Sequence, residues 1–174
     1  MGNHGFLLGF EESYGYLTGG YIRDKDAVIA SLLAAELTAY YKSKGMSLMD
    51  AVNDMYARYG YFAEKTVSVT MPGLDGVKKR EAATRLLRED PPKEVADRKV
   101  VQALDFSKGG VLGLPASDVL LYTLEGDAWV CVRPSGTEPK LKIYTMVQGS
   151  TAEAAAALTE RYVKDITAVL GIEE

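Results

Sequence analysis

The sequence predicts an α+β protein of two parts, a helix-rich unit over residues 1–60 and an antiparallel sheet with helices on one face over residues 61–174. Apolar residues recur at helical spacing in two consecutive early segments. Strict two-residue alternation sets in at Lys65 and returns in several later segments, two of which are joined by a hairpin signal. The order strand, helix, strands, helix then fills the remainder of the chain.

The first apolar stretch is Phe6-Leu7-Leu8-Gly9-Phe10, which no cap, helix or turn precedes. It reads as a buried-type strand, and such a strand needs neighbours. His4 is the single histidine and reads as a tail residue. Glu11 to Arg23 is rich in Gly, Ser, Thr and Tyr, which is loop chemistry. From Lys25 to Lys44, Val28, Ile29, Leu32, Leu33, Leu37 and Tyr40 mark a helix, with Asp24 and Asp26 at its start, Lys42 and Lys44 at its end and Gly45 as the stop. Ser47 and Asp50 form a capping pair for a second helix over Leu48 to Tyr59, which Gly60 ends. Both apolar stripes read as core faces.

A boundary is predicted near Gly60 to Glu64. Lys65 to Met71 then alternates as a half-buried strand. Pro72 to Gly76 reads as a turn, with Asp75 capping a helix that begins near Val77 and ends before Pro91-Pro92. Lys78, Lys79, Arg80, Arg85 and Arg88 make this helix basic, and the basicity reads as a solvated face. Val100 to Phe106 is a strand followed by the Gly109-Gly110 loop. Val119–Leu124 and Ala128–Val132 are strands joined by Glu125-Gly126-Asp127. Leu141 to Val147 alternates again, and Ser150 with Glu153 reads as a capping box for a helix from about Ala152 to Leu170.

Composition narrows the function. A net charge of −4 argues against a general nucleic-acid binder, so any phosphate site has to be local. Cys131 is the lone cysteine; it excludes an internal disulfide framework, fits a reducing compartment and reads as a buried structural thiol. No run approaches a membrane span, no signal-peptide h-region opens the chain and the myristoylation pattern fails, so the expected location is cytoplasmic with no membrane partner.

One stretch carries a concentrated chemistry. In Arg133-Pro134-Ser135-Gly136-Thr137-Glu138-Pro139 the prolines fix backbone angles and Gly136 permits positive φ, so N–H groups can converge on one point. Arg133 adds a planar fork that matches phosphate oxygens, and Ser135 and Thr137 add hydroxyls. The alternative is a polar strand connection with a solvated Arg. Near the other end, Glu11 and Ser13 can hydrogen-bond sugar hydroxyls, and Tyr14, Tyr16 and Tyr21 can pack beside a pyranose ring. A flexible polar loop with a solvated Glu pair is the competing reading.

Arg133 to Pro139 resembles the phosphate-binding loop in the C-terminal domain of the α-D-phosphohexomutases, the phosphoglucomutase and phosphomannomutase enzymes. Gly9-Phe10-Glu11-Glu12-Ser13-Tyr14-Gly15 is similar to the sugar-binding loop of their third domain. The two motifs stand in the family's order, and the resemblance covers essentially the whole chain. It implies a partial α/β third domain over residues 1–60 and a TATA-binding-protein-like fourth domain over residues 61–174, as the C-terminal part of a longer protein whose N-terminal domains are missing here. It implies that Arg133, Ser135, Gly136 and Thr137 hold the phosphate of a phosphorylated hexose and that Glu11 and Ser13 hold its hydroxyls. Lys25, with Arg23, matches a family position near the ligand.

In the resembled enzymes a phosphoserine on another domain donates its phosphoryl group to glucose 1-phosphate, and glucose 1,6-bisphosphate is intermediate and activator. Neither the family's phosphoserine loop nor its magnesium loop has a counterpart in these 174 residues. Asp75-Gly76-Val77 lacks the further carboxylates that gather a hard cation. Mg2+ is therefore expected in the full-length parent only, and the isolated chain is expected to recognise ligand without turnover. The glucose branch is favoured. The alternatives are a phosphomannomutase or phosphopentomutase parent, and a non-catalytic phosphosugar-binding module.

Overall fold

Chain pairing in the computed structural model, which describes residues 5–11 and 13–172, separates two compact units that meet at Arg58/Tyr59. His4 and Glu12, singled out above, lie outside the described residues. In the first unit β1 (Leu8–Phe10) pairs antiparallel with β2 (Tyr16–Thr18), followed by α1 (Ala27–Ser43) and α2 (Leu48–Tyr59). The segment expected to be loop throughout therefore supplies a strand, the partner that β1 requires. Asp26 caps α1, its carboxylate accepting from the Val28 and Ile29 N–H groups. Ser47 and Asp50 cap α2 reciprocally, the Asp50 N–H donating to Ser47 Oγ and the Ser47 N–H to Asp50 Oδ2.

Neither helix buries a residue. Val28, Leu32, Leu37 and Met55 stay exposed, so the stripes read as core faces are not core in this structure. The reason is physical: a hairpin of two three-residue strands is the only sheet described in this unit, and it is too small to cover two helices.

The second unit is a six-stranded antiparallel sheet. Its strands are β3 (Tyr61–Thr70), β4 (Glu94–Val95), β5 (Arg98–Asp105), β6 (Leu120–Leu124), β7 (Ala128–Pro134) and β8 (Lys140–Gly149), in the order β3-β8-β7-β6-β5-β4. α3 (Gly73–Glu89) packs on β6 and β7, and α4 (Ala152–Val169) packs on β3 and β8. Alternation in the three central strands sends Leu120, Tyr122, Leu124, Ala128, Val130, Val132, Leu141, Ile143 and Val147 to one face. There they meet Ala83 and Leu87 of α3 and Ala155, Tyr162 and Ile166 of α4. Tyr122 is almost wholly buried, so burial pushes its phenol up to about 12 while its hydroxyl donates to the Leu87 carbonyl at 3.0 Å.

Several boundaries move. β3 begins at Tyr61, inside the expected boundary segment, because Tyr61 and Ala63 also pack against the core. α3 begins at Gly73, so Asp75 sits in its first turn, where a carboxylate favours the helix dipole, and does not cap it. Thr151, and not Ser150, caps α4, its Oγ1 accepting from the Ala154 N–H at 3.1 Å. Two short 3-10 turns flank Gly109-Gly110, and the β4 hairpin follows α3; neither carries a periodicity long enough to read. The basic face of α3 is only partly solvated. Arg88 is half-buried and pairs with Asp105 and Asp118, and the Arg80 Nη1 atom is buried.

Gly76 is buried where α3 crosses the preceding turn, and a Cβ there would overlap the Met71 carbonyl. Gly76→Ala is expected to destabilise this unit by about 1–3 kcal/mol, the usual range for overpacking. A lower urea midpoint at unchanged m-value checks it.

Candidate functional site

The connection between β7 and β8 is built by strand pairing on both sides. Arg133 and Pro134 still belong to β7 and lie opposite Lys142 and Leu141 of β8. Beyond them the Ser135 N–H donates to the Lys140 carbonyl at 2.9 Å, the Glu138 N–H donates to Ser135 Oγ at 3.2 Å, and the Lys140 N–H donates to the Glu138 carbonyl at 2.7 Å. The Pro139 carbonyl accepts from the Met71 N–H at 2.7 Å, which ties the loop to the end of β3. Among the described residues the N–H groups of Gly136 and Thr137 find no protein acceptor. Both residues are exposed, as is Arg133.

Gly136 differs from its expected role. Its φ is not positive, and a Cβ there would meet nothing within 4 Å. What glycine supplies is bare backbone, which leaves the adjoining N–H groups approachable. The Ser135 N–H is likewise taken by Lys140, so convergence of donors is limited to Gly136 and Thr137.

Lys142 was not singled out in the sequence. Residues opposite each other in an antiparallel pair share a face with Cβ atoms about 4.5–5.5 Å apart, and like charges so placed repel. Register therefore puts a second cation beside Arg133. The period-two run Lys140-Leu141-Lys142 was the available signal, but the pairing partner was not. Glu138 lies within this field. Its carboxylate accepts from Lys140 Nζ at 2.7 Å, and that bond, reinforced by the charges of Lys140 and Lys142, holds the carboxyl below the usual range.

In the first unit the Glu11 N–H donates to the Gly15 carbonyl at 3.0 Å and closes a tight turn. Ser13 Oγ donates to Glu11 Oε1 at 2.8 Å, and Lys25 Nζ lies 3.8 Å from the same oxygen and 3.1 Å from Asp24 Oδ1. Glu11, Ser13 and Lys25, picked from separate stretches, are thus brought together. Asp24 first, then Glu11, raises the Lys25 amine above its ordinary value. Gly15 is buried beneath the Lys25 stem and Glu11, so closely that a Cβ there would run into the Lys25 stem and sit 2.8 Å from Glu11 Oε1. A cavity of about 340 Å3 adjoins the cluster, lined among others by Phe6, Phe10, Glu11, Arg23 and Lys25.

The tyrosines expected beside a pyranose ring do not line that cavity. Tyr14 is 87% exposed, and Tyr21 donates to Asp26 Oδ2 at 3.3 Å; Phe6 and Phe10 supply the aromatic walls. Cys131 is half-buried on the sheet face opposite the helices, not in the core, and burial pushes its thiol up to about 11. Among the described residues no group of three or more His, Cys, Asp or Glu side chains gathers to hold a metal ion, so the Mg2+ that the resemblance implies finds no ligand set in them. No helix among the described residues is long and apolar enough to cross a membrane.

Known proteins match both units. Residues 1–59 fit the family model described as phosphoglucomutase/phosphomannomutase alpha/beta/alpha domain III, and residues 81–164 fit that of the phosphoglucomutase/phosphomannomutase C-terminal domain. A probable phosphomannomutase of Haemophilus influenzae is 32% identical over 167 residues, covering 95% of this chain and 33% of that protein. A phosphoglucomutase of Staphylococcus epidermidis is 35% identical over 150 residues, covering 80% of this chain and 27% of that protein. The chain thus spans a third or less of the length of these curated relatives. The crystal structure of the exocytosis-sensitive phosphoprotein pp63/parafusin, a phosphoglucomutase from Paramecium in its open form, superposes with a TM-score of 0.61 at 17% identity over 94% of this chain and 31% of that one.

The Lys140 ion pair favours ionised Glu138, so its contribution is present above the ordinary carboxylate pKa and is lost as pH falls through the lowered one. The Glu138 side-chain carbonyl, followed by carbon-detected NMR, is expected to titrate below a free Glu and to move back up in Lys140→Met.

Proposed function

This chain belongs to the phosphoglucomutase/phosphomannomutase family, and on that premise we propose that it carries the phosphosugar-recognition elements of a phosphoglucomutase-type enzyme, which interconverts glucose 1-phosphate and glucose 6-phosphate through a bisphosphate. Arg133, Ser135, Gly136 and Thr137 hold the phosphate. Glu11, Ser13 and Lys25 hold sugar hydroxyls.

The observation that carries this reading is the pairing of Arg133 with Lys142 beside two open N–H groups. Two cations held opposite each other are unfavourable alone and favourable around an anion, and charge-assisted bonds to phosphate are the strong ones. A cradle of backbone N–H and guanidinium reads the phosphate and not the carbon that bears it. It can therefore hold the non-transferring phosphate of either monophosphate, as a reaction through a bisphosphate demands.

The Glu11–Ser13–Lys25 cluster offers acceptors and a donor on a short, hydrogen-bonded turn beside the Phe6 and Phe10 walls, a composition that suits a polyhydroxylated ring. The nucleophile and the metal ligands of phosphoryl transfer are supplied by other domains. The chain by itself recognises ligand and does not turn it over.

Titration of the 174-residue chain with glucose 1,6-bisphosphate, followed by amide-resolved NMR, tests the assignment. Shifts are expected at Ser135 to Glu138, lost in Arg133→Ala, with a second set at Glu11 to Gly15. A loop that ignores millimolar bisphosphate and inorganic phosphate alike overturns the cradle, and steady conversion of glucose 1-phosphate by the chain alone overturns its inactivity.

A further inference from the structure

The turn closed between Glu11 and Gly15 carries its glycine where backbone geometry does not ask for one. The residue that turns left-handed is Tyr14, with φ 64°, while the φ of Gly15 is not positive. A left-handed backbone strains a tyrosine and costs a glycine little, so a glycine serving the turn would stand at position 14. What position 15 requires is space. A Cβ there would overlap Lys25 Cγ and sit 2.8 Å from Glu11 Oε1 and 3.0 Å from Glu11 Cγ.

The backbone of Lys25 is anchored independently of its side chain. Its own N–H donates to Asp24 Oδ1 at 2.7 Å, and the next N–H, that of Asp26, donates to the Tyr16 carbonyl of β2 at 2.9 Å. From this fixed start the aliphatic stem crosses the bare α-carbon of Gly15 and brings Nζ to 3.1 Å from Asp24 Oδ1 and 3.8 Å from Glu11 Oε1. Glu11 Oε1 also accepts from Ser13 Oγ. An ammonium has three donor positions, so two carboxylates leave it an N–H for a hydroxyl.

We infer that Gly15 is a positioning residue of the sugar site: by carrying no side chain it gives the Lys25 stem its path and sets the ammonium beside the Glu11 carboxylate. A Cβ at this position displaces the stem and pushes the Glu11 carboxylate from its place beside Ser13. Donor and acceptor then no longer stand together. Gly15 thus acts through Lys25 and Glu11 and offers no side chain of its own to a ligand. The inference rests on the sugar-site reading above.

The test titrates the 174-residue chain with glucose 1-phosphate. The dissociation constant is read from the Ser13 amide in the unaltered chain, in Gly15→Ala, in Lys25→Ala and in the double variant. Each single change is expected to weaken binding about three- to tenfold, the scale of one hydrogen bond, and the double variant to lose well short of the sum. The Lys25 Cε shift, followed against pH, locates the amine. Asp24 and then Glu11 raise its pKa, and in Gly15→Ala that pKa is expected to fall toward that of an ordinary lysine. Unchanged Val28 and Ile29 amides, bound to the Asp26 cap, certify the fold. If Gly15→Ala does not fold, the double variant is expected to fold because the stem is gone; failure of both means that the turn itself requires glycine and overturns the inference. Gly15→Ala binding like the unaltered chain, an unmoved Lys25 titration or additive losses overturn it as well. A Ser13 amide that ignores glucose 1-phosphate in the unaltered chain overturns the sugar site itself, and with it the role of Gly15.

Discussion

The antiparallel pairing of β8 with both of its neighbours is the constraint on which the second unit depends. β8 pairs with β3 over ten positions and with β7 over six, and its buried side chains Leu141, Ile143 and Val147 meet both helices' share of the core. Period two then dictates everything opposite. Val132 and Ile143 face the core together, so Arg133 and Lys142, one residue along, must face away together. The charge of the candidate phosphate site is thus a by-product of core register. Slipping β8 by one residue would bury Lys142 and expose Ile143, so packing energy protects the placement of two cations that would otherwise separate.

The loop itself is held by few bonds, each of which removes a competitor. The Ser135 N–H and the Lys140 N–H are occupied inside the loop, and the Pro139 carbonyl is tied to Met71 at the end of β3. Lys140 neutralises Glu138, the one carboxylate in the turn. What remains open in the loop are the Gly136 and Thr137 N–H groups beside the Arg133 guanidinium. Preorganised donors of this kind gain from an incoming anion without having to abandon partners of their own.

The longer strands of the second unit, β3 and β5 to β8, were legible because alternation is local, and so were the helix stops at Gly45 and Gly60; two-residue β4 was not. Glu11, Ser13, Arg133, Ser135, Gly136 and Thr137 were legible as residue types able to meet a phosphosugar, and Lys25 through family likeness. Features that depend on which strand lies beside which were not. Lys142 looked like any outward residue of an alternating strand until its cross-strand partner was known. Arg80 looked like one more cation on a solvated helix until the helix was laid against β7. Gly136 was credited with a backbone conformation it does not adopt, because glycine serves a turn in more than one way and the letter does not say which. The exposed stripes of α1 and α2 mark the opposite limit. Periodicity states that a helix has an apolar face and is silent on what covers it.

On the proposed reading, phosphate and sugar are recognised by different physical means, and the two candidate sites divide accordingly. A phosphate is read through charge and through N–H groups that no side chain crowds, so its candidate site rests on a long β-ladder with an open glycine turn. A sugar offers only neutral hydroxyls and a partly apolar ring, so its candidate site needs groups that both accept and donate next to an apolar wall. The Glu11–Ser13–Lys25 cluster meets that need with internally paired side chains, which must exchange partners when a ligand arrives. On that reading the first unit would discriminate among sugars through geometry and the second would supply attraction. Selectivity and affinity can then change by mutation in one unit without disturbing the other.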